Sequence, residues 1–310
     1  MTIYEGVEGF PRLNYPVVTS GTFDGVHLGH VKILRRISEI AKANQGQTVL
    51  ITYSPHPREV LFPNEPKIHL LSSFEEKSKL LEKNGIDHLI KIPFTTEFSQ
   101  LSSEEFVRNY LVDRLNTKKL VIGYNHRFGK NREGSFEYLS ENASIYGFEV
   151  EEIPKQDLDH VAISSSTIRK ALGSGKISEA NKFLGRYYTM TGKVVTGNQL
   201  GRTIGFPTAN LQIFPENKLI PADGTYAVLV DLLQKKYKAM MNIGYRPTVN
   251  GFNKTIEVHI FDFNQSIYDE IVTIHFIKQI RNEVKFENIE RLTAQLSRDR
   301  DMALSILKSY

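Results

Sequence analysis

Two histidines, His27 and His30, lie three residues apart in the segment GTFDGVHLGH, which spans 21–30. An apolar, β-branched run over 15–20 precedes it and apolar residues at about helical spacing follow from His30, which predicts a strand, a turn and a helix. A helix N-terminus presents free N–H groups and the positive end of its dipole to anions. Imidazoles at spacing i, i+3 share one side of a helical turn. The pair could therefore stabilise charge on a phosphate that is being transferred.

Two other interpretations of the histidine pair stay open on spacing alone. The pair could ligate a metal, although no third ligand is obvious nearby in the sequence, or both could be ordinary surface residues. Gly21 and Gly25 would let the backbone of the turn approach a ligand closely. The chain has no GxGxxG and no GxxxxGK[ST] motif, which disfavours the usual dinucleotide-binding and P-loop chemistries.

A second polar group lies in ISSSTIRKAL, over 163–172, at the start of another predicted helix. Its hydroxyl and guanidinium groups come from Ser164, Ser165, Ser166, Thr167 and Arg169. Hydroxyls and N–H groups at a helix start, together with an arginine, suit a triphosphate. A simple serine N-cap with a solvated arginine is the alternative.

A third segment, GRTIGFPTANL over 201–211, carries oxygen donors between backbone-permissive residues. Thr208 and Asn210 are two residues apart, so in an extended strand they face the same side. Two neutral oxygens suit a hard cation such as Mg²⁺, although the segment could equally be a turn leading into a strand. Further along, TIEVHIFDF alternates strictly and places Glu257 opposite an apolar face, where it could be no more than an exposed strand residue.

These segments belong to two kinds of domain. In the first half, helical patterns separate short apolar strands, which predicts an α/β fold with a parallel sheet covered on both faces. The predicted strands span 15–20, 47–54, 88–92, 120–124 and 147–153. From Gly185 onward, strand signals dominate and a helical stretch closes the chain. We therefore predict an α/β domain over 1–184 and a β-barrel-like domain with a terminal helix over 185–310.

Length and composition agree with this division. The chain has 310 residues, and 39 Lys+Arg against 35 Asp+Glu give a net charge of +4, which permits anionic ligands without indicating nucleic acid. Cysteine is absent, which excludes disulfides, cysteine nucleophiles and thiolate metal sites. The N-terminus lacks an apolar signal region and no apolar run could span a bilayer, so we expect a soluble, cytoplasmic protein.

GTFDGVHLGH resembles the HxGH-type motif of the nucleotidyltransferase superfamily, in the form found in bacterial bifunctional riboflavin kinase/FAD synthetases. SPHPREVLFP, GYNHRFGKNREG and ISSSTIRKAL resemble that family's following segments in order. GRTIGFPTANL resembles the riboflavin kinase signature, and PADGTYAV, NIGYRPTV, TIEVHIFDF and IRNEVKFENIERLTAQLSRD continue the match, so the resemblance spans nearly the whole chain.

The resemblance implies a Rossmann-like nucleotidyltransferase domain followed by a six-stranded antiparallel riboflavin kinase barrel. The barrel domain would phosphorylate riboflavin to FMN with ATP, and the first domain would adenylylate FMN to FAD with release of pyrophosphate. The expected partners are ATP, riboflavin, FMN and FAD, with no nucleic acid and no membrane, in a monomer or weak homo-oligomer.

The resemblance also implies roles for individual residues. In the first domain, His27 and His30 would stabilise the α-phosphate and Arg169 the outer phosphates, with Asn125 and Arg127 at the flavin. The other implied ATP contacts there are Gly21, Thr22, Phe23, Gly25, Ser164, Ser165 and Ser166. In the second domain, Gly201, Thr203, Thr208 and Asn210 would bind ATP, Thr208 and Asn210 would hold Mg²⁺, Arg246 would contact flavin, and Glu257 would be the base.

Three positions depart from the family pattern. Ser166 stands where the signature has Thr, and Asn125 and His126 stand where the family often has Asp and Phe. The hydroxyl survives at the first position, and an imidazole can still stack at the third. These departures favour one alternative, a kinase with a degenerate adenylyltransferase. A second alternative also stays open, namely a non-catalytic flavin-binding or regulatory protein linked to nucleic acid. The products formed from riboflavin and ATP would distinguish them.

Overall fold

A computed structural model of the chain describes residues 1–154, 163–197, 200–248 and 251–310. These residues divide into two units, Met1–Ser164 and Ser165–Tyr310. Within the described ranges, no helix is long and apolar enough to cross a membrane.

The first unit contains the predicted parallel sheet. Its strands are β1 (Thr2–Glu5), β2 (Pro16–Ser20), β3 (Gln47–Ser54), β4 (His88–Pro93), β5 (Lys119–Gly123) and β6 (Glu149–Ile153). They lie in the order β1-β4-β3-β2-β5-β6, and every neighbouring pair is parallel. Strand β2 pairs with β3 on one side and β5 on the other. The crevice outside the carboxyl ends of β2 and β5 is therefore the place where such sheets bind ligands.

Helices cover both faces of this sheet, as the apolar strands predict. The helices are α1 (Leu28–Ala43), α2 (Pro57–Leu61), α3 (Phe74–Lys83), α4 (Thr96–Ser99), α5 (Ser103–Phe106) and α6 (Phe136–Tyr146), and α5 continues into a π-helical turn, Val107–Val112. Successive strand residues enter different cores, because side chains alternate across a strand. Val17 and Leu50 pack with residues of α1, whereas Val18 and Ile51 pack with Phe106.

Two local features differ from the sequence prediction. Strand β1 has no apolar run, because it is a short edge strand whose residues are mostly exposed. Helix α1 begins at Leu28 rather than at His30, because His27 is its N-cap: the Nδ1 atom of His27 accepts a hydrogen bond from the His30 N–H at 3.3 Å.

The second unit contains the predicted barrel. Its strands are β7 (Tyr188–Val195), β8 (Ala209–Ile213), β9 (Gly224–Leu232), β10 (Lys235–Thr248), β11 (Gly251–Ile260) and β12 (Ile271–Asn282). They close in the order β10-β11-β8-β7-β12-β9, and all pairs are antiparallel. The fold class, a parallel-sheet α/β domain plus a six-stranded antiparallel barrel, is thus confirmed.

Among the described residues of the second unit, four helices accompany the barrel: α7 (Ser165–Gly173), α8 (Ile177–Leu184), α9 (Leu200–Thr203) and the terminal α10 (Ile289–Ile306). The Leu172 carbonyl of α7 accepts a hydrogen bond from the Ala222 N–H at 3.0 Å, and Asn181 Nδ2 of α8 donates to the Phe276 carbonyl at 2.9 Å. Both helices therefore pack with the barrel, although the sequence boundary places them before it. The boundary at 184 stays a prediction.

Candidate functional site

The histidine pair lies where the connection after β2 enters α1, with His27 at the N-cap and His30 in the first turn of the helix. The two rings stack with centroids 3.7 Å apart and an interplanar angle of 16°. His27 is buried and His30 is half-buried, with the Phe23 ring 4.7 Å from the His30 ring. In the described part of the chain, no cluster of three or more His, Cys, Asp or Glu residues could hold a metal. The structure thus brings the imidazoles together at a helix start, as their spacing predicts.

The turn that carries the histidines is strained and firmly held. Phe23 and Val26 have φ values of +46° and +38°, in the left-handed region that non-glycine residues avoid. The buried carboxylate of Asp24 accepts hydrogen bonds from both N–H groups of 71–72 at 3.0–3.2 Å. At Gly25, with φ +79°, an added Cβ would lie 2.8 Å from a leucine side chain. Strain of this kind persists only where the surroundings fix the backbone, and it concentrates at functional sites.

Lys77, on α3, contacts the backbone of this turn, and the sequence analysis did not predict that contact. Its side chain is only 9% exposed, and its Nζ donates to the Thr22 carbonyl at 3.1 Å and to Thr52 Oγ1 at 2.9 Å. Burial lowers the pKa of Lys77 to about 8, although the Asp24 carboxylate opposes that shift. The signal in the sequence was its position four residues before the buried Leu81, on the apolar face of the helix.

The predicted flavin residues follow β5 on the other side of the crevice. His126 Nε2 lies 2.9 Å from Ser20 Oγ, so a hydrogen bond joins the ends of β5 and β2. Burial lowers the pKa of His126 to about 4, and the cationic Arg127 acts in the same direction. Asn125 and Arg127 are exposed at this edge, and the Phe128 ring lies 5.8 Å from the His126 ring. The site therefore has an aromatic wall beside two exposed polar side chains.

The serine segment begins where the first unit ends. Ser164 is the last residue of that unit, and the following hydroxyls open α7, as the sequence predicts for a helix start. A Cβ placed on Gly29 of α1 would lie 3.9 Å from the Ile163 carbonyl oxygen. The backbone just before Ser164 therefore comes close to the first turn of α1, and Arg169 follows, half-buried, on α7.

The second unit contains a cavity of about 590 Å³ whose wall includes Glu257 and Thr208. Thr208 Oγ1 donates a hydrogen bond to Glu257 Oε2 at 3.2 Å. Asn210 is the register partner of Glu257 across the β8–β11 pair. Met240 and Leu292 contribute apolar surface to the same cavity. One wall thus combines a carboxylate and a hydroxyl with apolar surface, a combination typical of small-molecule sites, and Asn210 lies beside that wall on the neighbouring strand.

His259 holds the PTAN turn rather than the carboxylate. Its Nδ1 donates to the Pro207 carbonyl oxygen at 2.7 Å, and its ring meets the Phe206 ring edge-on with centroids 5.4 Å apart. Burial lowers the pKa of His259, so the neutral ring carries its proton toward the turn. Thr203 is exposed at the end of α9, and the side chain of Arg246 lies outside the described residues.

A parallel sheet with an imidazole-bearing turn at its crevice and a barrel with an oxygen-lined cavity define a two-domain enzyme that acts on phosphate-bearing substrates. The family model described as FAD synthetase matches residues 11–167, and the model described as riboflavin kinase matches residues 184–307.

Curated relatives agree over most of the chain. The bifunctional riboflavin kinase/FMN adenylyltransferase of Buchnera aphidicola subsp. Schizaphis graminum is 38% identical over 100% of this chain and 99% of its own length. The protein of that name from Listeria monocytogenes is 40% identical over 91% of this chain and 90% of its own length. The chain belongs to the family of bifunctional riboflavin kinase/FMN adenylyltransferases. It phosphorylates riboflavin to FMN and adenylylates FMN to FAD, which confirms the function that the motifs predict.

A solved structure from Streptococcus pneumoniae has the same fold. It superposes with a TM-score of 0.88 at 32% identity, over 97% of this chain and 98% of that one. It is described as a macrolide-efflux protein, and that description applies to the Streptococcus protein alone.

Proposed function

We propose that the two reactions use two separate sites: FMN adenylylation at the stacked-histidine turn of domain 1–184, and riboflavin phosphorylation in the cavity of domain 185–310. The observation that carries the proposal is the 3.2 Å contact between Thr208 Oγ1 and Glu257 Oε2 on the cavity wall. A carboxylate there can act as a base next to an oxygen ligand for nucleotide phosphates.

In the kinase reaction, Glu257 takes the proton of the ribityl 5′-hydroxyl. The hydroxyl oxygen forms a bond to the γ-phosphorus of ATP, the bond from that phosphorus to the bridging oxygen breaks, and ADP leaves. Phosphoryl transfer otherwise needs chiefly positioning and neutralisation of charge. The hydrogen bond from His259 to Pro207 supports this role, because it fixes the turn that carries Thr208.

The family is ATP-dependent, and the two oxygen donors of the PTAN segment, Thr208 and Asn210, fit Mg²⁺. The hydroxyl of Thr208 and the amide oxygen of Asn210 are hard donors of the kind that Mg²⁺ takes together with phosphates and water. A Cβ on Gly201 would lie 3.3 Å from Thr208 Oγ1, and a Cβ on Gly197 would collide with the Asn210 amide. The glycine backbone therefore packs directly against both donors. Mg²⁺ held by Thr208 and Asn210 would neutralise phosphate charge.

In the adenylylation reaction, an FMN phosphate oxygen forms a bond to the α-phosphorus of ATP. The bond from that phosphorus to its bridging oxygen breaks, and pyrophosphate leaves. An ionised phosphate is already a nucleophile, so no base is required. His27 and His30 donate to the α-phosphate oxygens, while the serine segment and Arg169 hold the outer phosphates. Asn125 and Arg127 contact the flavin beside the aromatic wall.

The proposal includes the domain boundary and the setting of the enzyme. The riboflavin kinase match begins at residue 184, and Gly185 ends α8 with a left-handed φ of +69°, which supports a boundary at this position. We place the enzyme in the cytoplasm, without nucleic-acid or membrane partners, as a monomer or weak homo-oligomer; the mild net charge of +4 supports the absence of a nucleic-acid surface.

Product analysis tests the separation of the two sites. The purified protein is supplied with riboflavin and ATP, or with FMN and ATP, and the flavins are separated by chromatography. His30→Ala should abolish FAD formation from FMN and leave FMN formation intact. Glu257→Ala should do the reverse. If either folded variant loses both activities equally, or retains the activity assigned to its own site, the assignment is wrong.

A further inference from the structure

The ammonium group of Lys77 is a buried charge next to the adenylylation site. Lys77 Nζ donates to the Thr22 carbonyl oxygen at 3.1 Å and to Thr52 Oγ1 at 2.9 Å, and Thr52 Oγ1 itself donates to the same carbonyl at 3.2 Å. Thr52 is fully buried and Lys77 is 9% exposed. Burying a lysine is costly, and apolar replacements of buried charges are often neutral or stabilising. Stability alone therefore does not account for a lysine at this position.

The carbonyl that Lys77 contacts belongs to the peptide bond that links Thr22 to Phe23. That peptide bond is trans, so its N–H points in the direction opposite to its carbonyl. The Phe23 N–H therefore faces away from Lys77. Within the described residues, that N–H has no hydrogen-bond acceptor. It is thus free to donate to a ligand at the crevice.

We propose that Lys77 is a positioning residue for FMN adenylylation, acting through the Thr22–Phe23 peptide so that the Phe23 N–H donates to a phosphate oxygen of ATP. A peptide whose carbonyl accepts a charge-assisted hydrogen bond is polarised and becomes a stronger donor at its N–H. The strained φ of +46° at Phe23 is then maintained by Lys77 at the peptide carbonyl and by the phosphate at the peptide N–H. This inference rests on the proposed placement of ATP at the stacked-histidine turn.

The charge of Lys77 gives the inference a pH signature. Burial lowers its pKa to about 8; Asp24 opposes the shift and Lys91, which is paired with Glu5 at 3.1 Å, adds to it. The pKa of a lysine in the unfolded chain is about 10.4. Between about pH 8 and pH 10.4 the unfolded chain holds the proton and the folded chain does not, so the free energy of unfolding rises with pH. The charged donor is lost over the same range, so adenylylation falls while stability rises.

Lys77→Met is the central variant, and Lys79→Met, which changes an exposed lysine on the same helix, is its matched control. The measurements are kcat and the KM for ATP in FMN adenylylation, riboflavin kinase activity of the same polypeptide, and thermal unfolding. Removal of a direct oxyanion donor costs about 10²–10³ in kcat, so loss of a group that polarises such a donor should cost at least about 10-fold. We expect that loss in kcat, with the KM for ATP, the kinase rate and the melting temperature not impaired.

A folded Lys77→Met with unchanged kcat overturns the inference, as does a loss that merely follows a lowered melting temperature. Should this variant not fold, the wild-type enzyme decides: adenylylation must fall above about pH 8 relative to the kinase activity, and parallel profiles overturn the inference. His30→Ala separates this test from the proposed site. If His30→Ala retains adenylylation, the placement of ATP is wrong. If it loses adenylylation while Lys77→Met retains it, only the role of Lys77 is wrong.

Discussion

Replacing Glu257 by glutamine removes a base while keeping a similar side-chain shape. The glutamine Oε1 can accept the hydrogen bond that Thr208 Oγ1 donates to Glu257 Oε2 at 3.2 Å. The strand pairing is unaffected, because Glu257 and Asn210 are paired in the β8–β11 ladder through their backbones and not through their side chains. The substitution therefore isolates the ability of the side chain to take a proton.

The magnitude follows from comparing two contributions. A weaker hydrogen bond from Thr208 would change the free energy by about 1 kcal/mol, which is less than a tenfold change in rate. Loss of a positioned general base costs about 10²–10⁴ in rate, or about 3–5 kcal/mol of transition-state stabilisation. The second contribution dominates, so Glu257→Gln should lower kcat for FMN formation by at least about 100-fold.

The assay measures initial rates of FMN formation from riboflavin and ATP, and of FAD formation from added FMN and ATP. The second rate is an internal control, because it depends on the other domain. Glu270→Gln, at an exposed position just before β12, is the matched control for loss of one carboxylate. A kinase rate for Glu257→Gln within about tenfold of wild type would refute the base assignment, because the altered hydrogen bond alone could produce a change of that size.

Three further predictions concern positions around the two sites. Asp299 is 1% exposed and paired with Arg281 at 2.7 Å, so Asp299→Ala should lower the free energy of unfolding by about 3–5 kcal/mol in denaturant titration, against at most about 1 for the exposed Asp301→Ala. His259→Phe removes the donor to the Pro207 carbonyl and should raise the kinase KM for ATP several-fold, whereas His259→Asn keeps a donor and should raise it less; equal KM values would contradict this. Burial lowers the pKa of His126 to about 4, so as pH falls His126 takes up its proton in the unfolded chain before it does in the folded one. The free energy of unfolding, measured by denaturant titration, should therefore decline from about pH 6.5 toward 4, and His126→Gln should flatten that decline.

The sequence predicted each element whose burial produces an apolar run or a periodic apolar pattern. The central strands β2 to β5 have buried residues on both faces, so they appear as apolar runs. Strand β1 carries no such trace because it lies at an edge and is mostly exposed. The barrel strands were visible individually, but their closure, with β12 between β7 and β9, depends on long-range pairing that periodicity does not encode. The number of barrel strands came from the family resemblance.

The candidate sites divide in the same way. The histidine pair and the PTAN segment were found because the relevant residues lie two or three positions apart in the chain. The groups that hold the turn were not found, because their partners are distant in the sequence. Asp24 accepts a hydrogen bond from the Leu71 N–H, 47 residues away, and Lys77 donates to the Thr22 carbonyl, 55 residues away. A lysine on the apolar face of a helix was the one local signal for the second contact.

The departure at His126 is compatible with an active adenylyltransferase for a physical reason. At neutral pH the ring is uncharged, because burial holds its pKa at about 4, so it brings no cation into the crevice. Its ring centroid lies 5.8 Å from that of Phe128, and its Nε2 pairs with Ser20 Oγ at the end of β2. The imidazole therefore keeps the aromatic surface and adds a polar link across the crevice. A charged side chain at this position would instead have to be solvated or paired there, at a cost that the neutral ring avoids.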